Sequence, residues 1–360
     1  MDEFAQKGTK VIQDATQRLQ EAAGKLSAPQ VDSLNRRSAL NMCAAVAVDA
    51  GQSLFGGVLR DAGIAVFQVA SSQEGEDPRT FPFWVSPSLP EAEKRKVVQE
   101  HLDEIVSEDK VIADFVKAMG WNKVYDEHVM PPSCYQTAAA LSNFVRELLE
   151  WATLYKVGKD LRATTQNLKM GIQPVLLRDG TLRFDNMGED HARRLRELFR
   201  QVDVPILGVT KQSALVRSAI IRLWLAKHNV YQQEGALVVK LDIEDFKNLG
   251  WQLDRYFGDD GMRFGRYVLA RFDPLPGSHN IFAVDIPDYL IANWDNVLVL
   301  LSGIAEHATA TAYPIPGYPV ALRKAHDKVA LTPDRVLFLE NAIRRSLGEE
   351  AYNLLKMLGM

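Results

Sequence analysis

The sequence predicts a mixed α/β fold, a β-sheet flanked by helices. Three observations lead there. Two apolar runs of strand length, 43–49 and 64–70, flank Gly56-Gly57, as in an antiparallel pair joined through a turn. Further on, short apolar runs at 174–178 and 204–209 alternate with amphipathic helical stretches. Finally, 360 residues at 47% hydrophobic content can bury a large core, in about two domains or one elaborated domain.

Each element has its own warrant. Residues 4–26 place Phe4, Val11, Ile12, Ala15, Leu19, Ala22 and Leu26 on one helical face, and Ser27-Ala-Pro29 stops that helix. It reads as a packing helix or a partner contact, an N-terminal extension over 1–35. After the strands 43–49 and 64–70 comes a third, 80–85. Residues 91–119 read as a charged helical insertion, centred on 90–130. Residues 136–157 form a stronger helix whose buried side carries Leu141, Phe144, Val145, Leu148, Leu149, Ala152 and Leu154. Strand 174–178, helix 189–201, strand 204–209 and helix 212–227 follow. Residues 231–262 read as irregular, apart from a strand at 235–241 and a Gly258-Asp-Asp-Gly261 loop. Strands at 267–272 and 280–285 precede an apolar helix, 287–306. A rigid Pro314-Ile-Pro-Gly-Tyr-Pro319 turn leads into helix 319–330. Thr332-Pro333 opens a last helix, 333–348, within a C-terminal segment 331–360.

Bulk chemistry excludes several classes. A net charge of -4 gives no global electrostatic footprint for nucleic acid, so any cationic contact must be local. The two cysteines, Cys43 and Cys134, form neither a disulfide framework nor a zinc spacing. No apolar stretch approaches about 18 residues, and the start lacks a basic and an apolar leader region, so a cytoplasmic protein is expected. There is no Walker A motif, dinucleotide fingerprint or H-E-x-x-H, so a nucleotide-driven motor would be a separate protein.

The chemistry concentrates in carboxylates beside apolar sequence. Asp49 is expected to end the first strand, and Asp179 the strand 174–178. Glu147 or Glu150 lies on the helix between them. Burying a carboxylate at a strand end is costly unless charge or hydrogen bonds meet it. Clustered carboxylates select Mg²⁺ or Mn²⁺. Two such ions hydrolyse phosphodiesters. His326, on the helix after Pro319, would tilt the preference toward Mn²⁺ as a ligand, because imidazole is softer; His307 is its rival. Lys211 and Ser213 follow the strand 204–209, where a lysine meets a phosphate as a point charge. The arginines 193, 194, 196 and 200 are interleaved with acids and read as a solvated face.

The order of these pieces resembles the NurA family of DNA end-processing nucleases, over most of residues 36–330. The matching segments are Val46-Ala-Val-Asp49-Ala-Gly, Arg146-Glu-Leu-Leu-Glu150, Leu176-Leu-Arg-Asp179-Gly-Thr-Leu182, Gly208-Val-Thr-Lys211-Gln-Ser213, Phe282-Ala-Val-Asp285-Ile-Pro287 and Gly317-Tyr-Pro-Val-Ala-Leu-Arg-Lys-Ala-His326. The resemblance implies an RNase H-like (PIWI-like) core. It also implies catalytic metal, usually Mn²⁺ and two ions, on Asp49, Glu150, Asp179 and His326. Glu150 is taken over Glu147 because it lies four residues after Arg146. Lys211, Ser213 and Arg146 are the expected DNA contacts. A homodimer working with a hexameric HerA-type ATPase in DNA end resection is also implied. One departure is that Ala50-Gly51 stands where the family commonly has Gly-Ser.

Two other classes fit parts of the chain. An actin-like or sugar-kinase-like ATP-binding phosphotransferase would use Asp49-Ala-Gly51-Gln-Ser53 as a phosphate turn, but its late glycine pair is missing. A non-catalytic scaffold would have lost its metal.

Overall fold

The computed structural model describes residues 2–34, 43–54, 64–84, 89–168, 173–184, 188–211, 213–242, 265–308 and 315–357. The Gly56-Gly57 turn, the Gly258–Gly261 loop, Val85 and Pro314 lie outside the described residues.

Nine strands hydrogen-bond in the order β1-β7-β8-β9-β6-β5-β2-β3-β4. They are β1 (Gln30–Ser33), β2 (Cys43–Leu54), β3 (Ile64–Ser71), β4 (Arg79–Trp84), β5 (Gln173–Asp179), β6 (Ile206–Thr210), β7 (Leu237–Lys240), β8 (Gly265–Arg271) and β9 (Phe282–Pro287). β2, β3 and β4 form an antiparallel meander, with β5 on the other side of β2. β5 runs parallel to β6. The Leu176 N–H donates to Pro205 O at 2.8 Å and the Gly180 N–H to Val209 O at 3.0 Å, four residues on along both strands. This is the expected RNase H-like mixed sheet, a meander extended by strands on the far side of its first member.

Contacts divide the chain into two units. One comprises residues 44–179, 183–206 and 321–360. It holds the meander and β5. The expected insertion is two helices, α2 (Glu91–Glu108) and α3 (Lys110–Ala118). They break at Asp109, whose carboxylate accepts the Val111 and Ile112 N–H groups and caps α3. α4 (Ala138–Leu168) runs past its expected end and packs on β3 and β5. Its centre is buried all round, with Leu148, Leu149, Trp151, Ala152 and Leu154 fully buried alongside Glu147 and Glu150. α5 (Glu189–Val202) lies against α4.

The other unit comprises residues 1–43, 180–182 and 207–320. It holds α1 (Asp2–Gly24) and the antiparallel strands β7, β8 and β9. Ala23 and Leu26 join a core with Ile221, Trp224, Leu225 and Leu269. The Trp224 indole donates to Ser27 O at 2.7 Å. The N-terminal helix is therefore a packing element at its C-terminal end, while Val11 and Ile12 stay exposed. Residues 30–33, read as no element, pair with β7 as an edge strand. Four residues are too few for periodicity to register. The expected helix 212–227 is two, α6 (Ala214–Arg217) and α7 (Ala219–Lys227), because the Ser218 hydroxyl accepts the Ile221 N–H and starts a new helix. The expected helix 287–306 likewise divides into α8 (Asp288–Ile291) and α9 (Trp294–His307), capped by Asn293.

Two helices complete the first unit. They are α10 (Val320–Val329) and α11 (Pro333–Met357), the latter kinked at Gly348 where φ is 76°.

Candidate metal centre

Asp49 does not end a strand. β2 continues to Leu54, and Asp49 pairs with Ala70 in mid-ladder. The small, polar stretch Gly51-Gln52-Ser53 read as a turn, yet its backbone pairs with β3 as far as Leu54, opposite Ala65. Tertiary pairing overrides weak β-propensity here. The phosphate turn that the kinase-like alternative placed at residues 49–53 is consequently absent.

Side chains alternate along a strand, so Asp49 and Gly51 share a face of β2. A Cβ on Gly51 would lie 2.3 Å from Val329 O, at the end of α10. Only glycine admits α10 this close, and the approach brings His326 to Asp49. The His326 Nδ1 lies 2.9 Å from Asp49 Oδ2, while Asp49 Oδ1 accepts the Ala50 N–H at 2.8 Å. Asp179 ends β5 as expected. One ligand atom each from Asp49, Asp179 and His326 all lie within 4.8 Å of one another.

Glu150 stands behind this trio rather than in it. It is completely buried on α4. Its Oε2 accepts from Arg178 Nη2 at 3.1 Å and lies 3.6 Å from Arg146 Nη1. Among the described residues its Oε1 has no hydrogen-bond partner. Burial pushes the Glu150 carboxyl above its ordinary range; Arg178 and Arg146 pull it back, and Asp49 pushes it up again. Glu147 shares the arrangement, 3.4 Å from Arg178 and 3.9 Å from Arg146. The two glutamates left open by the sequence are thus both held, by the same two guanidiniums.

Arg178 went unnoticed in the sequence, although an arginine inside the apolar run 174–178 was itself a signal. It is 2% exposed, donates to Arg183 O at 2.8 Å, and lies 4.8 Å from the Trp151 ring centroid. Arg146, an expected DNA contact, is paired with Glu147 and Glu150 at the side chain's quarter exposure. Lys211 and Ser213 belong to the other unit. The Lys211 Nζ lies 4.8 Å from the Tyr318 ring centroid. The Ser213 hydroxyl accepts the Val216 N–H and caps α6, which leaves its own O–H free to donate elsewhere.

The donor set fits a divalent cation. The 2.9 Å between His326 Nδ1 and Asp49 Oδ2 is a direct hydrogen bond, and it is also close to the spacing of about 3.0 Å between neighbouring ligands of an octahedral ion at about 2.1 Å. Two carboxylates and one imidazole suit Mn²⁺ better than Mg²⁺. The NurA domain model matches residues 85–331, more than half of the sequence. This chain belongs to the NurA family. Among solved structures, it is similar to the crystal structure of the NurA nuclease from Sulfolobus solfataricus. The identity is 15% and the TM-score 0.40, with 97% of each chain covered. A likeness that loose says nothing about individual residues. No curated protein sequence matches this NurA-family chain. No helix among its described residues is long and apolar enough to cross a membrane.

Proposed function

We propose that this NurA-family protein is a metal-dependent nuclease that hydrolyses DNA phosphodiester bonds. The observation carrying the reading is the convergence of Asp49, Asp179 and His326 from β2, β5 and α10, elements far apart in sequence. When bound, a divalent ion supplies Lewis-acid stabilisation of the phosphoryl oxygens and an activated water. Asp49 and Asp179 would hold that ion as hard oxygen donors, and His326 would bias the site toward Mn²⁺. Glu150 is proposed as the ligand of a second ion, through the Oε1 that no described residue bonds. Its position between Arg146 and Arg178 keeps it oriented in the core.

Lys211 is proposed to meet the DNA backbone as a point charge, with Ser213 and Arg146 as further contacts. The protein acts as a cytoplasmic homodimer that receives DNA from a separate HerA-type ring ATPase during end resection in double-strand break repair. That assembly compensates for a net charge of -4, which alone holds DNA poorly. The deciding experiment measures cleavage of single- and double-stranded DNA with Mn²⁺ and with EDTA, for the wild-type chain and for Asp49→Ala. Cleavage that survives EDTA, or survives Asp49→Ala, would end the proposal.

A further inference from the structure

We infer that Lys328 is a positioning residue for His326, fixing the imidazole against Asp49; the inference rests on the metal-site reading above. α10 is short, and it meets the sheet through a narrow apolar stripe, Leu322, Ala325 and Val329. His326 keeps 37% of its side chain exposed. A roll of the helix about that stripe would carry the imidazole away from Asp49. A ligand displaced by about 1 Å no longer serves.

Lys328 blocks that roll. Residues two apart on a helix point about 200° apart, so Lys328 leaves α10 on the side opposite His326. Its Nζ donates to two main-chain carbonyls, Gln73 O at 2.5 Å and Glu76 O at 2.9 Å, in the turn between β3 and β4. That turn is fastened in its own right to β2. The Ser72 N–H donates to Ala47 O at 2.8 Å, and the Ala47 N–H donates to Ser72 Oγ at 3.0 Å. Ala47 lies two residues before Asp49, on the same face of β2. The turn is braced internally as well, since the Ser71 hydroxyl donates to Glu76 Oε2.

A closed circuit results, running from Asp49 along β2 to Ala47, through Ser72 to the turn, through Lys328 to α10, and back to Asp49 through His326. One ammonium with several donors satisfies two convergent carbonyls, a task no apolar side chain can take. The neighbouring Lys324 differs. It reaches only the exposed Glu74 carboxylate, at 3.3 Å, and exposed pairs contribute little.

The test titrates Mn²⁺ alone into the full chain and follows the electron paramagnetic resonance signal of the free ion. Lys328→Met is expected to weaken Mn²⁺ binding about tenfold, the size of effect seen when outer partners of metal ligands are removed. Lys324→Met should bind as wild type. Lys328→Arg should recover most of the affinity, because a guanidinium also presents several donors to the two carbonyls. Wild-type affinity in Lys328→Met would overturn the inference, and so would an equal loss in Lys324→Met. A metal-free arm records ring-nitrogen resonances of ¹⁵N-histidine-labelled protein, with the His326 signal assigned by its loss in His326→Gln. Lys328→Met should shift that signal, and an unchanged resonance counts against the idea. If wild-type protein shows no His326-dependent Mn²⁺ site, the metal reading has failed, and the resonance arm alone decides for Lys328. Should Lys328→Met not fold, Lys328→Gln takes its place in both arms.

Discussion

Replacing Arg178 with Met should unfold the unit that carries the metal centre more readily than any neighbouring surface change. The substitution keeps an unbranched side chain but removes the guanidinium that meets Glu150 at 3.1 Å and Glu147 at 3.4 Å. Both carboxylates then stay buried, at 0% and 5% side-chain exposure, with Arg146 at 3.6 and 3.9 Å as the remaining guanidinium of the pair. Breaking a buried pair from one side costs about 3–5 kcal/mol, against a typical total stability of about 5–15 kcal/mol. With a urea slope of about 2–3 kcal/mol per molar, the midpoint falls by about 1–2 M. The sign of the pH dependence follows from Glu150. Its folded carboxyl is already raised by burial, so its contribution to stability is present below the ordinary carboxyl pKa. That contribution is lost as pH rises through the raised folded value. Removing Arg178 raises the folded value further, so the variant's deficit should grow as pH rises and shrink on acidification as Glu150 takes up a proton. The assay is urea denaturation followed by far-ultraviolet circular dichroism from pH 5 to 8. Adding Glu150→Gln to Arg178→Met should restore part of the loss, with a coupling of about 1–3 kcal/mol. An Arg178→Met midpoint equal to wild type, or a deficit that grows on acidification, would refute the argument.

Further outcomes follow from the same geometry. Asp49→Asn should abolish Mn²⁺-supported cleavage at a stability cost of about 1–3 kcal/mol, since Asp49 is buried and bonded to His326 and to the Ala50 N–H; unchanged cleavage rates would remove Asp49 from the site. Gly51→Ala places a methyl 2.3 Å from Val329 O, so it should cost about 1–3 kcal/mol and weaken Mn²⁺ binding by displacing α10, both measurable by calorimetry. Ser213→Ala should cost about 1 kcal/mol through loss of the α6 cap. A drop in DNA affinity beyond that seen for Ser218→Ala, a cap of the same kind at α7, would assign Ser213 a DNA contact as well. Glu150→Gln should gain stability relative to wild type as pH rises, because the wild-type carboxyl is raised by burial and must lose its proton there, as scanning calorimetry at several pH values would report.

Much of the fold was legible in the sequence because it rests on local pattern. The apolar runs 64–70 and 174–178 marked β3 and β5 closely. The one-sided helix 189–201 was equally plain. What local pattern could not supply was how far a strand continues or where a helix breaks. β2 runs through Gly51 because β3 supplies a partner there, and the 212–227 helix divides because the Ser218 hydroxyl takes a backbone N–H. Both outcomes depend on hydrogen bonds that hydrophobic periodicity does not record.

For the candidate site, the residue types and their order marked Asp49, Asp179 and His326 as candidates and left Glu147 and Glu150 open; the resemblance to the NurA family favoured Glu150. A carboxylate beside an apolar run announces that something must meet it. Only the tertiary structure decided what meets each one. Asp49 and Asp179 face His326, whereas Glu150 faces Arg178 and Arg146. That division depends on the direction of side chains from α4, β5 and α10, and on the close approach that Gly51 permits. Sequence marked Asp49 and Asp179 as charges beside apolar runs, but not the burial of Arg178. Packing across distant segments fixes which of them share a partner, because burial is local to a residue and pairing is not.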